Sequence, residues 1–218
     1  MPRPGPPLAP TLARWQLWAA MKGRRLLLTV SMLALAAGLV ACTHTVVPEH
    51  LDAGYDPARI ERLTLLPIVD TRWRKFEHVS LTRNVREATL QALREKGYEV
   101  AVADGFTGAV PSSHQELLDL PAAELAKLAP ADADVFVLLQ IESFEAEADE
   151  LAPTFRLSLA GTIVERAGAR MLWRDRAAGY SALTGVFAIF ARASVEYQAA
   201  VNTVNELFQT LPPVAAAS

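Results

Sequence analysis

Cys42 is the only cysteine of this 218-residue chain, and its position restricts which part of the chain can fold as a domain. The run 26–40, which ends two residues before Cys42, has 15 residues without a charge, and Lys22, Arg24 and Arg25 precede it. A basic segment, an apolar segment and a small residue in this order are typical of a secretory signal with a cleavage site. As a helix the run would span about 22 Å, less than the ~30 Å hydrocarbon core of a bilayer. We therefore interpret it as a signal and not as a transmembrane helix.

The four residues Leu39-Val40-Ala41-Cys42 resemble the lipobox of bacterial lipoproteins. In that family a diacylglycerol is attached to the thiol, the signal is cut before the cysteine, and the new amino group is acylated. The resemblance implies that Cys42 is the lipid attachment site and that acyl chains such as palmitate hold the protein at a membrane. Thr43, where an Asp would retain a lipoprotein in the inner membrane, implies an outer-membrane lipoprotein that faces the periplasm of a Gram-negative bacterium. A buried structural cysteine is the alternative interpretation, since free cysteines are often small core residues.

The remaining boundaries follow from composition and charge. We expect residues 1–20 to be a non-native or untranslated extension, 21–41 the signal peptide, 42–57 a tether, 58–213 one domain and 214–218 a flexible tail. From Cys42 onward the chain has 16 basic and 24 acidic residues, a net charge of −8 with His neutral. This sign disfavours nucleic acid as a partner. With its one thiol acylated, the domain cannot form a disulfide and must rely on ordinary packing.

Periodicity predicts an α/β (α+β) fold with a mixed five-stranded sheet flanked by helices. The order is strand, helix, strand, helix, three strands, helix, and the second helical stretch contains one or two helices. The first half of the chain is predicted to form a strand at 60–69 that ends near Pro67, an amphipathic helix at 79–96 capped by Gly97, a strand around 98–102, and irregular helices between Ser113 and Leu128. A central strand at 134–141 and a hairpin at 155–180 follow. The predicted buried stripe of the last helix is Phe190, Ser194, Tyr197, Val201, Val204 and Phe208.

No nucleotide-binding, nucleophile-elbow or zinc-protease motif occurs in the sequence, and the four histidines lack metal-ligand spacing. We therefore predict a protein that is not an enzyme and has no cofactor or metal. The acidic stretch from Glu142 to Glu150 is interpreted as a solvated connection, with a Ca²⁺ loop as the less favoured alternative. The rival hypothesis is an envelope hydrolase in which carboxylates such as Asp70 and Glu142 converge from the ends of adjacent strands.

One loop combines aromatic and basic residues in a way that suits a binding surface. Arg72, Trp73, Arg74 and Phe76 follow the first predicted strand, and Arg and aromatic residues are enriched in binding hot spots. They are possible partner-facing residues; alternatively, the aromatic rings fold back onto the core. The uncharged stretch 182–191 likewise suits contact with lipid, with a partner or with the core.

Several of these segments together resemble a known family. Leu65-Leu66-Pro67, a helix ending near Gly97, Ala133-Asp134-Val135, Met171-Leu172-Trp173 and a helix ending at Leu211-Pro212 occur in this order. The set resembles the envelope lipoproteins with a TolB amino-terminal-domain-like fold, among them the curli-secretion lipoprotein and the penicillin-binding-protein activator lipoprotein. The resemblance implies a lipid-anchored, non-enzymatic assembly or accessory factor that binds an envelope protein or forms a homo-oligomer. A self-assembling secretion-pore subunit remains an alternative, although the long amphipathic membrane strands of the curli pore are not evident.

Overall fold

Seven strands and three α-helices form in the described part of the chain. The computed structural model describes residues 47–70, 72, 79–110, 117, 120–147, 154–182 and 192–215, all within one unit that begins at Val46. The strands are β1 (His50–Leu51), β2 (Leu63–Leu65), β3 (Val69–Asp70), β4 (Val100–Val102), β5 (Val135–Glu147), β6 (Thr154–Glu165) and β7 (Arg170–Ala182). The α-helices are α1 (Val79–Glu95), α2 (Ala122–Leu125) and α3 (Arg192–Phe208), and short 3₁₀ helices lie at Pro57–Arg59 and Ala126–Leu128.

All seven strands belong to one mixed sheet with the order β1-β7-β6-β5-β2-β4, and β3 pairs with β5 beside this path. The strand β2 is parallel to both of its neighbours, with Leu63 opposite Val100 and Val135. The strands β5, β6 and β7 form a long antiparallel meander, and β1 is antiparallel to β7. The predicted mixed α+β fold is confirmed, but the predicted number of five strands is wrong.

The two additional strands have separate physical origins. One is β1, which lies within the predicted tether and pairs His50 with Arg174 at the edge of the sheet. The other is β3, which arises because the predicted strand 60–69 is interrupted. Between Leu65 and Val69 the chain advances four residues while its partner β5 advances three. Pro67, which has no N–H to donate to the ladder, lies in this irregular stretch.

One face of the sheet is covered by α1 and α3, which form the larger core with β2, β5, β6 and β7. The predicted apolar stripe of α1 is confirmed, since Leu81, Val85, Ala88 and Ala92 are buried. Gly97 follows α1 with a positive φ of 90°, as expected of a helix cap.

The predicted stripe of α3 is partly wrong, because the helix is rotated about its axis. Ser194 is exposed and Tyr197 and Val201 are only half-buried, whereas Val204 and Phe208 are buried as predicted. The buried face of α3 also contains Val195, Ala199, Ala200, Thr203 and Leu207. Three of these, Ala199, Ala200 and Thr203, have small side chains. Small side chains allow a helix to lie closer to a sheet, a preference that hydrophobic periodicity does not register.

The other face of the sheet is covered over part of its area by a second cluster around α2. Leu125, Leu128 and Ala133 pack there against Phe136 of β5 and Val164 of β6. The burial of β6 shows how far this cover extends. From Leu159 to Val164 every residue is buried, whereas from Phe155 to Ser158 buried and more exposed residues alternate. The meander therefore has one half covered on both faces and one half covered by α3 alone.

The acidic stretch from Glu142 to Glu147 extends β5, so its interpretation as a connection is wrong for these residues. A register shift between Ile141 and Ser143 places Ser143, Glu145 and Glu147 on one face of the sheet. Phe144 and Ala146 alternate with them and pack on the α3 side. The alternation of polar and apolar residues is a strand pattern that the high charge of the segment obscured.

No helix among the described residues combines the length and apolar character needed to cross a membrane. Cys42, the helical turn predicted at Ser113, and most of the apolar stretch 182–191 lie outside those residues.

Candidate binding surface

A shallow depression lies on the half of the β5–β7 meander that only α3 covers, on the face of the sheet opposite α3. Its central row is formed by three cross-strand neighbours, since Glu145 of β5 lies opposite Arg156 of β6 and Arg156 lies opposite Tyr180 of β7. The depression has a volume of about 480 Å³. We call this surface the open face and define it by Ser143, Glu145, Arg156, Ser158, Ala178 and Tyr180.

Packed aromatic and aliphatic side chains back the open face from the opposite side of the sheet. There Phe144 and Phe155 stack with ring centroids 5.6 Å apart, and Phe155 packs against Val195 and Ala199 of α3. Because successive side chains of a strand point to opposite faces, burial of Phe155 requires Arg156 to point away from α3.

Gly179 allows α3 to approach β7 closely behind the open face. A Cβ atom at this position would lie 2.5 Å from Oγ1 of Thr203 and 2.9 Å from its Cα atom. Only a residue without a side chain fits between the strand and the helix backbone at this separation. The absence of a side chain at Gly179 thus sets the position of Tyr180, its neighbour on the open face.

The charged groups of the open face are available to a ligand. Arg156 and Glu145 are both exposed, and within the described ranges no ion pair joins either of them to another residue. Tyr180 beside them is 65% exposed. Arg and Tyr are among the residues that contribute most to protein–protein binding, and the serine hydroxyls can donate or accept hydrogen bonds. The open face thus has the chemistry of a polar protein-binding surface.

The N-terminal segment is fixed to the edge of the meander next to the open face. Arg176 of β7 donates to Glu49 at 2.7 Å and to Glu142 at 3.0 Å. Burial alone would lower the pKa of Arg176, but its hydrogen bonds and the charges of Glu142 and Glu49 raise the pKa overall. A ring nitrogen of His50 lies 3.0 Å from the carbonyl oxygen of Met171. The chain from Glu49 onward is therefore part of the sheet and not a free linker.

Among the loop residues predicted to face a partner, the structure describes Arg72 alone; Trp73, Arg74 and Phe76 lie outside the described residues. The guanidinium of Arg72 donates to Asp70 at 2.8 and 2.7 Å and lies 5.4 Å from the ring centroid of Phe144. The side chain of Arg72 thus packs inward, and the partner-facing role of this loop stays a prediction.

The two carboxylates of the hydrolase hypothesis are each bound by a different arginine. Asp70 is paired with Arg72, and Glu142 accepts from Arg176. Among the described residues no group of three or more His, Cys, Asp or Glu side chains is arranged to hold a metal ion.

Buried polar side chains elsewhere link secondary-structure elements. Glu196 of α3 accepts from Ser80 at 2.6 Å and from Asn84 at 3.1 Å, both in α1. Asp175 of β7 accepts from Thr210 at 2.6 Å, just beyond α3. These contacts satisfy carboxylates that would otherwise be costly to bury.

A tyrosine pair fastens the chain that follows α3. Tyr55 and Tyr98 are joined by a hydrogen bond of 2.7 Å, and Tyr98 donates to the carbonyl oxygen of Pro212 at 2.6 Å. Burial raises the pKa of Tyr55, and the bond to Tyr98 raises it further. Burial also raises the pKa of Tyr98. Burial lowers the pKa of Lys96, whose Nζ donates to the carbonyl oxygen of Leu211 at 2.8 Å.

One of the two strand signals for the open face was used in the sequence interpretation. The alternation of Phe155 and Leu157 with Arg156 and Ser158 predicted a half-buried strand, whereas the similar alternation in 143–147 was interpreted as a connection. What could not be predicted is the cross-strand register that aligns Glu145, Arg156 and Tyr180, because it depends on the irregularity after Ile141.

No protein-family model matches the chain, and no curated protein matches it. Similar solved structures include the PelC dodecamer from Paraburkholderia phytofirmans, 13% identical, covering 72% of this chain and 94% of that chain with a TM-score of 0.42. The lipoprotein GNA1162 from Neisseria meningitidis is 14% identical and covers 61% and 92% of the two chains with a TM-score of 0.39. A minor lipoprotein from Acinetobacter baumannii is 9% identical, with coverage of 67% and 88% and a TM-score of 0.35. Bacterial lipoproteins are thus among the similar structures, but with TM-scores below 0.5 these similarities assign neither a family nor an activity.

Proposed function

We propose that this chain is a bacterial envelope lipoprotein that is anchored by acylated Cys42 and binds a partner protein through the open face. The observation that carries this proposal is the exposed row of Glu145, Arg156 and Tyr180 on a sheet that α3 supports from behind. The protein acts as an accessory or assembly factor and catalyses no reaction. The proposed location is the outer membrane, facing the periplasm, because Thr43 and not an aspartate follows Cys42.

The physical support for a binding role lies in charge and rigidity. An exposed arginine and an exposed glutamate that form no ion pair in the described structure keep their full hydrogen-bonding capacity for a partner. The stacked rings of Phe144 and Phe155 pack these strands against α3. A surface that is ordered before binding loses less entropy on association. Truncating a hot-spot arginine or tyrosine in such a surface costs about 2 kcal/mol or more of binding energy.

The anchoring part of the proposal is tested by replacing Cys42. The Cys42→Ala protein is expected to keep its leader or to appear in the soluble fraction, because there is no thiol to acylate. A Cys42→Ala protein that is processed and remains bound to the outer membrane contradicts lipid anchoring. Partner binding is measured separately, so its outcome is independent of this one.

The binding part is tested by photo-crosslinking in cells. A photoreactive amino acid is placed at Ser158 or Ala178 on the open face, and at Gln91 on the exposed side of α1 as the matched control. We expect the same adduct from both positions of the open face and none from Gln91. Arg156→Glu reverses the central charge and is expected to abolish the adduct without lowering the amount of folded protein.

Each other outcome of this experiment has a definite meaning. Adducts of equal yield from Gln91 and Ser158 contradict a role for the open face. An adduct that survives Arg156→Glu shows that the charged row does not carry the binding. An adduct with twice the subunit mass that contains only this chain identifies a self-assembling subunit and overturns the accessory-factor proposal.

A further inference from the structure

Three large apolar side chains are strongly exposed in the described residues, and all three lie at the β1–β7 side of the sheet. They are Val47, which is 74% exposed, Leu51, which is 42% exposed, and Tyr180, which is 65% exposed. Leu51 lies opposite Trp173, seven residues before Tyr180 on β7. At about 3.3 Å per residue, Leu51 and Tyr180 are separated by about 23 Å along this edge. Leu51 shares the α3 face of the sheet with its partner Trp173, and Tyr180 lies on the opposite face, so the exposed apolar groups flank one edge from both faces. We call it the β1–β7 edge and define it by Val47, Leu51 and Tyr180.

The length of the chain before this edge limits its distance from the anchor. Five peptide units separate Cys42 from Val47, and a fully extended chain spans at most about 3.6 Å per residue. If Cys42 is acylated, Val47 therefore stays within about 18 Å of the bilayer surface. The sheet is restrained as well, because the ion pair between Glu49 and Arg176 and the pairing of β1 with β7 attach this segment to it.

The charge distribution makes this edge the part of the domain best suited to a lipid surface. The chain from Cys42 onward has a net charge of −8, which anionic head groups repel. The stretch 177–182 of β7, in contrast, carries no charge. Two of the arginines that precede this stretch on β7 are paired with carboxylates, Arg176 with Glu49 and Glu142 and Arg170 with Glu165 and Asp52.

We propose that the β1–β7 edge rests on the head-group region of the bilayer, with Leu51 and Tyr180 as interfacial contacts. This inference rests on the proposed lipid anchor at Cys42. A tyrosine suits this position because its ring is apolar and its hydroxyl can remain hydrated. The exposed backbone of an edge strand can also be hydrated among head groups, which the hydrocarbon core does not permit.

Contact at this edge occupies Tyr180, which lies at the margin of the open face, and leaves Glu145 and Arg156 at its centre accessible to a partner. Arg156 lies one strand and Glu145 two strands inward from β7, about 5 Å and 10 Å at the usual strand spacing. The anchor and the edge contact would together hold the domain in one orientation, whereas a free tether would let it rotate.

The test uses the full acylated protein in vesicles of phosphatidylethanolamine and phosphatidylglycerol. Because Cys42 is the only native cysteine and is acylated, a cysteine introduced elsewhere is the single reactive thiol. A fluorescent label is attached in Tyr180→Cys, in Leu51→Cys and in the control Gln91→Cys. Gln91 is exposed on α1, which packs against α3 and also contacts β4, the strand at the opposite edge of the sheet from β1. Quenching by a nitroxide carried on the lipid head group is then measured.

We expect quenching of the labels at positions 180 and 51 to be several-fold stronger than at position 91. Equal quenching at all three positions in protein that floats with the vesicles overturns the edge contact and leaves the anchor intact. Protein that fails to float with the vesicles overturns the anchor and the inference together. A disulfide-linked pair of Tyr180→Cys chains, formed in detergent and in vesicles alike, shows that a second copy covers this edge and likewise overturns the inference.

Discussion

Gly179 offers a direct test of how closely α3 approaches β7. In Gly179→Ala the new Cβ atom would lie 2.5 Å from Oγ1 of Thr203 and 2.9 Å from its backbone nitrogen. The hydroxyl cannot simply rotate away, because it donates to the carbonyl oxygen of Ala199 at 2.7 Å. The backbone of α3 must therefore move. Overpacking of this kind costs about 1–3 kcal/mol, and contact with backbone atoms places the expected loss of stability in the upper part of that range.

The assay is urea unfolding of the acylated protein in detergent, with Gly105→Ala as the matched control. No heavy atom lies within 4 Å of a Cβ atom built at Gly105, so this variant should unfold close to the parent midpoint. With a urea dependence of about 2 kcal/mol per molar, a loss of about 2 kcal/mol lowers the midpoint by about 1 M. If Gly179→Ala unfolds at the same urea concentration as Gly105→Ala, the close approach of α3 to β7 is refuted.

Three further predictions concern stability. Arg72→Ala leaves the carboxylate of Asp70 without its ion-pair partner, in a site where the side chains of Arg72 and Asp70 are 9% and 11% exposed. We expect the free energy of unfolding to fall by about 3–5 kcal/mol in urea, and an unchanged midpoint contradicts the ion pair. Thr210→Val removes the donor to a buried carboxylate of β7 and should cost about 1–3 kcal/mol in the same assay, whereas Thr210→Ser should retain most of the stability. The raised pKa values of Tyr55 and Tyr98 stabilise the fold fully below about pH 10, where unfolded tyrosine ionises, and this stabilisation is lost as the pH rises toward the folded values. The urea midpoint should therefore be lower at about pH 11 than at about pH 8, and the decrease should be smaller in Tyr98→Phe. A decrease of the same size in Tyr98→Phe refutes the assignment of this pH dependence to the two tyrosines.

The sequence predicted those helices and strands whose own side chains show a clear hydrophobic pattern. The helix at 79–96 was found as α1 (Val79–Glu95), because apolar residues every three or four positions leave one face to bury. The helix cap at Gly97 followed from the ability of glycine to adopt a positive φ. The hairpin around Ala167-Gly168 was found as β6 and β7, since each strand carries its own alternation.

Features that depend on contacts between distant segments were not predicted. The strand β1 has only two residues and no apolar pattern; it forms because β7 offers a partner and Arg176 holds Glu49. The rotation of α3 depends on the fit of Ala199 and Thr203 against the sheet, and both residues are less hydrophobic than those of the predicted stripe. Register and fit of this kind are tertiary properties that override periodicity.

The candidate site shows the same division between local and tertiary information. The alternation of Ser143 and Glu145 with apolar residues was visible in the sequence, whereas the alignment of Glu145 with Arg156 and Tyr180 was not. The sequence drew attention to Arg72 because it lies near aromatic residues, but its guanidinium is bound to Asp70.

The most direct test of a lipid-held binding protein is the intact mass of the protein purified from its native membrane. We predict a chain that begins at Cys42, with a diacylglyceryl group on the thiol and a further acyl chain on the amino group. A mass that corresponds to an unmodified thiol, or to a chain that retains residues 21–41, would contradict the anchor and with it the proposed orientation of the domain.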